Sequence, residues 1–221
     1  MAPIDDFEKL AQKGGLVGYF GYGSLVNRTT LRTDVVAAWP VRLRGWRRTW
    51  RARPDMGPTP LAALQSGPTP SLLSAHPAPG AAIDGLLVID HARNLEAVDA
   101  REFRYHRREI ALSNLGFAGE VPALARQADI PLYVYEARTE HPPVEGPCAI
   151  LRSYLDAVMQ GFLHEFGEAG LHRFVDETEA FDMPIHEDRH APVYARAVTL
   201  TPAEVVLFDA ALSSRQAARK S

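Results

Sequence analysis

The sequence predicts an α+β fold: a small, mostly antiparallel, closed or half-closed β-barrel with flanking helices. Three observations carry this. Apolar strand patterns dominate the first two thirds of the chain, helical periodicity gathers in the last third, and the intervening stretches are short and punctuated by proline and glycine.

The elements follow in order. Leu16 to Tyr22 reads as a buried first strand, set off by Gly14-Gly15 before it and Gly23-Ser24 after it. VRLRGWRRTWRAR, residues 41–53, reads as one or two strands with an arginine-rich face. Residues 54–80 hold seven prolines, which exclude a long helix and suggest a loop across one face, with LAALQS (61–66) as a short strand inside it. GLLVID (85–90) is a strand, and Asp90 is placed to cap a short helix through HARNLEAVDAREF. YHRREIALS (105–113) and PLYVYEA (131–137) are extended. Ile150, Tyr154, Leu155, Val158 and Phe162 recur at helical spacing; Gly167 ends that helix and a shorter one follows over 168–177. The last helix has the sharpest start. Thr201-Pro202-Ala203-Glu204 sets a capping hydroxyl, a first-turn proline and a capping-box glutamate in register, and the helix should run to about Ala218.

The chain has 221 residues, which suits one domain: a core over about 16–167 and a helical C-terminal extension over about 168–221. Its 24 basic and 27 acidic residues leave a net charge of −3, which argues against nucleic acid or an anionic membrane as partner. Cys148 is the only cysteine, so no internal disulfide forms and a cytoplasmic setting is expected. The acidic, polar N-terminal stretch lacks the pattern of a secretory signal, and no apolar run is long enough to span a bilayer.

Four places invite a chemical reading. Arg42, Arg44, Arg47, Arg48, Arg51 and Arg53 form either an anion-binding strip or a strand face balanced by nearby acids. HEDRH, His186 to His190, matches the zinc-peptidase pattern through His186, Glu187 and His190. That chemistry needs a helix, and Pro184 and Pro192 flank the match, so a polar loop is the reading of its context. Cys148 precedes a helix but has no partner base in a local signature, and reads as a small buried neighbour of the helix cap. The last place joins FGYGSL, Phe20 to Leu25, with VDAREFRYHRREI, Val98 to Ile110. A strand that ends in Gly-Ser either simply stops or leaves unpaired N–H groups that cradle a carboxylate or an oxyanion. Glu102 lies where a helix gives way to a strand. It either enters a cleft or forms a surface ion pair with Arg101 or Arg104.

These residues carry a resemblance. FGYGSL at Phe20–Leu25, GWRR at Gly45–Arg48 and DAREFRY at Asp99–Tyr105 resemble the γ-glutamylcyclotransferase superfamily, including its ChaC-type glutathione-degrading branch. Ser153 to Gly167 is similar to a helix that follows the last strand in that superfamily, and the likeness covers about residues 17–167. DRHAPVYAR, Asp188 to Arg196, resembles a closing segment of some bacterial members. The resemblance implies that Tyr22, Gly23, Ser24 and Leu25 hold a γ-glutamyl group, that Glu102 is the acid-base residue, and that Tyr105 lines the site. Many members carry a glycine between that glutamate and the tyrosine; here Phe103 and Arg104 fill the gap, which changes the pocket's shape more than its reaction. The implied reaction cyclises the γ-glutamyl group to 5-oxoproline and releases an amine or amino acid. It implies no cofactor and no metal, and a small γ-glutamyl substrate, with glutathione as one candidate.

A general base at neutral pH needs a raised carboxyl pKa, so Arg101 and Arg104 are both expected to point away from Glu102; a guanidinium paired to it would count against the mechanism. Tyr19, Phe20 and Tyr22 are candidate pocket walls. The rival readings are a non-catalytic γ-glutamyl or small-molecule binding protein, a zinc peptidase through His186, Glu187 and His190, and RNA binding through Arg47 and Arg48.

Overall fold

The computed structural model describes residues 13–31, 33–53, 68–120, 130–143 and 145–218. Nine strands and three helices are assigned among them. The strands are β1 (Leu16–Gly21), β2 (Ala37–Arg51), β3 (Thr69–Pro70), β4 (Leu72–His91), β5 (Tyr105–Glu109), β6 (Leu115–Phe117), β7 (Leu132–Ala137), β8 (Cys148–Leu151) and β9 (Ile185–His186). The helices are α1 (Leu95–Arg101), α2 (Arg152–Glu177) and α3 (Pro202–Ala218). The expected strand at 61–66 lies outside the described residues.

The main sheet runs β5-β7-β1-β4-β2-β6. Four of its ladders are antiparallel and one, β1 with β7, is parallel, so the sheet is mixed. β3, β8 and β9 form a small parallel sheet. The expected closed barrel is not found: β5 and β6 are edges that do not pair with each other among the described residues. The sheet is nonetheless curved. Six flat strands would set their outer members about 24 Å apart. The chain from Glu109 to Leu115 spans about 20 Å at full stretch, less with the 3₁₀ turn Leu112–Asn114 inside it. The link therefore draws the two edges toward each other without closing the ladder.

β2 and β4 are long because they form one antiparallel ribbon, with a register shift between Arg44 and Trp46 at Gly45. This corrects the expected loop over 54–80 in its last part, since residues 72–80 belong to β4. Pro79 falls within the register shift, opposite no β2 residue, and Pro77 faces Trp46 at its border, on a stretch of β4 that pairs only with β2 in the main sheet. β8 takes residues that read as helix: Ile150 is in a strand and α2 begins at Arg152. Cys148 opens β8 and is only half-buried, rather than a buried neighbour of the helix cap.

β1 is buried along its whole length, as a central strand should be. On one face α2 contributes Leu155, Val158, Met159 and Phe162, and after its break Leu171, Phe174 and Val175. The break is at Gly167, whose φ of 65° suits glycine and few other residues. Phe208, Ala211 and Leu212 of α3 join the same core. The capping box of α3 is formed as expected: Glu204 N–H donates to Thr201 Oγ1 (3.2 Å) and Thr201 N–H to Glu204 Oε2 (2.7 Å). A smaller cluster on the other face joins Tyr19, Leu86, Val88 and Tyr135 to Val98 of α1.

The arginines of β2 are used within the fold. Arg42 pairs with Asp84 and Glu177, and Arg47 with Glu179. Arg48 is 1% exposed, with its guanidinium 4.7 Å from the Phe162 ring and 5.0 Å from Phe174. It donates to the Asp84 carbonyl at 2.6 Å, and burial lowers its pKa to about 10. No helix among the described residues is long and apolar enough to cross a membrane.

Candidate active site

β1 delivers the chain to the site. After Gly21 the backbone turns through Tyr22 and Gly23 into a single 3₁₀ turn, Ser24–Val26. Val26 N–H donates to Gly23 O (2.9 Å) and Asn27 N–H to Ser24 O (3.1 Å). The Thr30 hydroxyl also donates to Ser24 O, at 2.5 Å. Asn27 then fastens the turn to α2 by donating to Ala157 O and Gln160 Oε1, each at 3.0 Å. The turn is therefore held on its outer side, and its Ser24 N–H interacts with the hydroxyl of Tyr154 on α2.

α1 delivers Glu102. The residue caps the helix C-terminus, with its N–H bonded to Val98 O (2.9 Å) and its carbonyl accepting from Tyr105 N–H (2.8 Å). This tight reversal turns the carboxylate inward, where the side chain is only 16% exposed. Around it stand Tyr22, Tyr105, Tyr135 and Tyr154. The Tyr22 hydroxyl donates to Tyr135 O, and Tyr105 donates to Leu73 O at 2.9 Å. Tyr135 lies on β7 beside β1, and its own hydroxyl donates to Asp99 Oδ1 at 2.7 Å. Burial first, then neighbouring phenols and Glu102 push Tyr22 and Tyr105 well above the ordinary phenol range. They stay neutral and can donate hydrogen bonds.

Tyr22, Gly23, Ser24, Leu25, Glu102 and Tyr105, the six residues singled out in the sequence, all line one small cavity of about 30 Å3. Phe20, Leu73, Tyr135 and Tyr154 complete its wall. Tyr19 does not: it points to the opposite face of β1 and bonds Asp90 at 3.2 Å. The cavity has room for a water molecule or two. Larger clefts lie elsewhere, one of about 770 Å3 beside Arg152 and Arg189 and one of about 820 Å3 beside Asp84. Their central charges neutralise one another: Arg152 and Arg189 with Asp156 and Asp209, and Asp84 with Arg42 and Arg173. The small cavity joins the buried Glu102 carboxylate, which has no second cation paired to it by contact, to the Gly23-Ser24 turn.

The expectation for the two arginines holds for one and fails for the other. Arg104 makes no ion pair with Glu102; its Cζ lies 3.9 Å from the centroid of the Phe103 ring. Arg101 does not point away. Its Nε is 3.0 Å from Glu102 Oε1, its Nη2 donates to Ser24 Oγ (3.1 Å) and its Nη1 to Thr30 O (3.3 Å). The reason is the helix end. The last residue of α1 and its cap are neighbours, and the turn that carries Ser24 packs against them. Even so, burial outweighs the cation: the Glu102 carboxyl is raised above its ordinary value, with Arg101 and then Arg196 pulling it back down.

The HEDRH segment has no helix: His186 ends β9 and the chain continues irregularly. No group of three or more His, Cys, Asp or Glu side chains is placed to hold a metal ion among the described residues. The same region supplies a neighbour that the sequence reading left unassigned. Tyr194, within Asp188–Arg196, stacks edge-on against Tyr154 with ring centroids 5.0 Å apart.

No protein-family model matches the chain, and no curated protein matches it in sequence. Solved structures match its fold. One titled gamma-glutamyl cyclotransferase is 12% identical with a TM-score of 0.50, over 88% of this chain and 99% of that one. YkqA from Bacillus subtilis is 11% identical with a TM-score of 0.53, over 82% of this chain and 60% of its own. A yeast gamma-glutamyl cyclotransferase specific to glutathione aligns over 90% of this chain at 12% identity, but at a TM-score of 0.42 it adds nothing to the assignment. The architecture around the cavity is thus that of the γ-glutamyl cyclotransferase fold.

Proposed function

We propose that this chain, which has the γ-glutamyl cyclotransferase fold, is an enzyme that cyclises a γ-glutamyl group to 5-oxoproline, with Glu102 as its acid-base residue. The observation that carries the reading is the placement of the inward-turned Glu102 carboxylate in one cavity with the Gly23-Ser24 turn. The substrates are γ-glutamyl peptides or amines, glutathione among them.

The nucleophile belongs to the substrate, so no covalent enzyme intermediate is required. The site's work is to fold the γ-glutamyl chain so that its α-nitrogen meets its own γ-carbonyl carbon. Glu102 takes a proton from the α-ammonium, and the freed lone pair forms the new C–N bond. The carbonyl oxygen becomes an oxyanion beside the turn and the neutral Tyr154 hydroxyl, which can donate to it; the protons of Tyr22, Tyr105 and Tyr135 are already given to Tyr135 O, Leu73 O and Asp99. Glu102 then gives its proton to the leaving nitrogen as the old C–N bond breaks. A second proton follows the same route, so the attacking nitrogen ends as a lactam N–H and the leaving amine as an ammonium. One carboxyl suffices because it is base and acid in turn. Its raised pKa suits both roles.

The Arg101–Glu102 pair counts against a base that stands free in the resting site. It is the observation that favours the second reading, a protein that binds γ-glutamyl compounds without turning them over. Measuring 5-oxoproline release from glutathione and a panel of γ-glutamyl dipeptides, with wild type beside Glu102→Gln, separates the two. The enzyme reading expects release by wild type and at least a 100-fold loss in a folded Glu102→Gln. Binding without release by the wild type would establish the second reading.

A further inference from the structure

The contacts of Arg101 give it a role that the reaction scheme leaves open. A guanidinium receives a carboxylate best along one edge, where two N–H groups meet two oxygens. The Nε–Nη2 edge of Arg101 is not used that way. One corner meets a single oxygen of Glu102 (3.0 Å) and the other meets the hydroxyl of Ser24 (3.1 Å). Its remaining nitrogen is anchored to the backbone at Thr30 O (3.3 Å), which fixes the plane of the group. The side chain is 13% exposed, so water screens it little. Arg101 is thus a shielded, oriented fork: Nη2 donates to Ser24, Nε lies in an ion pair with Glu102 without an aligned hydrogen bond, and a free carboxylate would take both.

We propose that Arg101 is the receptor for the α-carboxylate of the γ-glutamyl group, and that this carboxylate displaces Glu102 from it. The inference rests on the cyclotransferase reading and names the part of the substrate that the site requires. The α-carboxylate and the α-ammonium share one carbon. A carboxylate seated on the Nε–Nη2 edge therefore places the ammonium next to the oxygen that Nε has just released. Glu102 loses its cation at the moment it gains a proton donor. The other groups that face it remain: the charge of Arg196 from the segment after β9, and the uncharged phenols of Tyr22, Tyr105, Tyr135 and Tyr154. The exchange also divides the labour within the site. With the α-carboxylate on Arg101, the turn does not also have to hold it. The resting ion pair then becomes a device that keeps the base held until a substrate of the right charge arrives.

The test compares two substrates in three proteins. The substrates are γ-glutamyl-alanine and its analogue with the α-carboxylate converted to a carboxamide, which retains the α-amine and still cyclises to a lactam. The proteins are wild type, Arg101→Gln and Arg101→Lys, each checked for folding by thermal unfolding. Wild type is expected to favour the carboxylate substrate by on the order of 100-fold in kcat/KM, the worth of a charge-assisted contact. Arg101→Gln should bring the two substrates within a few-fold of each other. Arg101→Lys should retain part of the preference. A merely structural role would lower both substrates equally and leave the ratio as in wild type; that result overturns the inference while cyclotransferase activity stands. A wild type that does not discriminate overturns it as well, and this holds even if Arg101→Gln fails to fold. A wild type silent on every γ-glutamyl substrate overturns the underlying reading and this inference with it.

Discussion

A β-carbon added at Gly23 would stand 2.9 Å from the hydroxyl of Tyr154. Helix α2 and the turn after β1 therefore meet so closely that a side chain at this position would make the Tyr154 hydroxyl give way. Gly23→Ala is expected to push Tyr154 out of the wall and widen the cavity. Release of 5-oxoproline should fall by about 10- to 100-fold, with a loss of about 1–2 kcal/mol of stability. Steady-state kinetics and urea unfolding on the same variant check both parts.

Glu102 makes a prediction with a defined sign. Its carboxyl is raised in the folded protein, chiefly by burial. The folded state therefore binds the proton more tightly than the unfolded state. The stability linked to this group is fully present below the ordinary carboxyl pKa and is lost as pH rises through the raised one. Glu102→Gln should match wild type in Tm at acid pH and exceed it at neutral pH. In the same window the activity of wild type should increase with pH, because a base must be ionised to accept a proton. Thermal melts and kcat/KM profiles across that range provide the check.

Arg48 tests what the arginines of β2 are for. The guanidinium is buried beside the stacked rings of Phe162 and Phe174 and donates to the backbone of β4. Arg48→Ala removes volume from the core and leaves the Asp84 carbonyl without this donor. A cost of about 2–4 kcal/mol is expected in denaturant unfolding. A variant as stable as wild type would mean that the arginine is a passenger in the core.

Gly167 offers a control remote from the cavity. Its φ of 65° makes the break in α2, and a Cβ there would meet nothing within 4 Å. Gly167→Ala should therefore cost about 1 kcal/mol from backbone strain alone, with 5-oxoproline release unchanged. An activity loss would reveal that the angle between the two halves of α2 shapes the site.

Local signals were legible in the sequence. The capping box of α3 is a contact between residues three apart, so Thr201 and Glu204 announced it. Gly167 announced the break in α2, and the six residues carried over from the motifs line one cavity. What the sequence did not yield depends on register and on distant pairing. Tyr135 reaches the site because β7 lies parallel to β1, and Tyr154 because α2 crosses the turn; the strand and helix patterns that hold them do not mark them as site residues. The barrel failed for the same reason, since strand alternation does not say whether β5 and β6 pair. The inward pull of Arg101 was illegible because a side chain's direction at a helix end depends on what packs there, here Ser24 and Thr30.

The central place of β1 sets a timetable for synthesis. Its strand partners are Leu86–His91 on one side and Leu132–Val134 on the other, and the far wall of the cavity is Tyr154. The turn at Gly23-Ser24 is made before every partner it closes against, and Tyr154 is the last of the cavity's walls to follow it. Non-local pairing of this kind slows folding and leaves apolar strands waiting. A product cut short before Tyr154 would therefore carry the motif without a closed cavity around it.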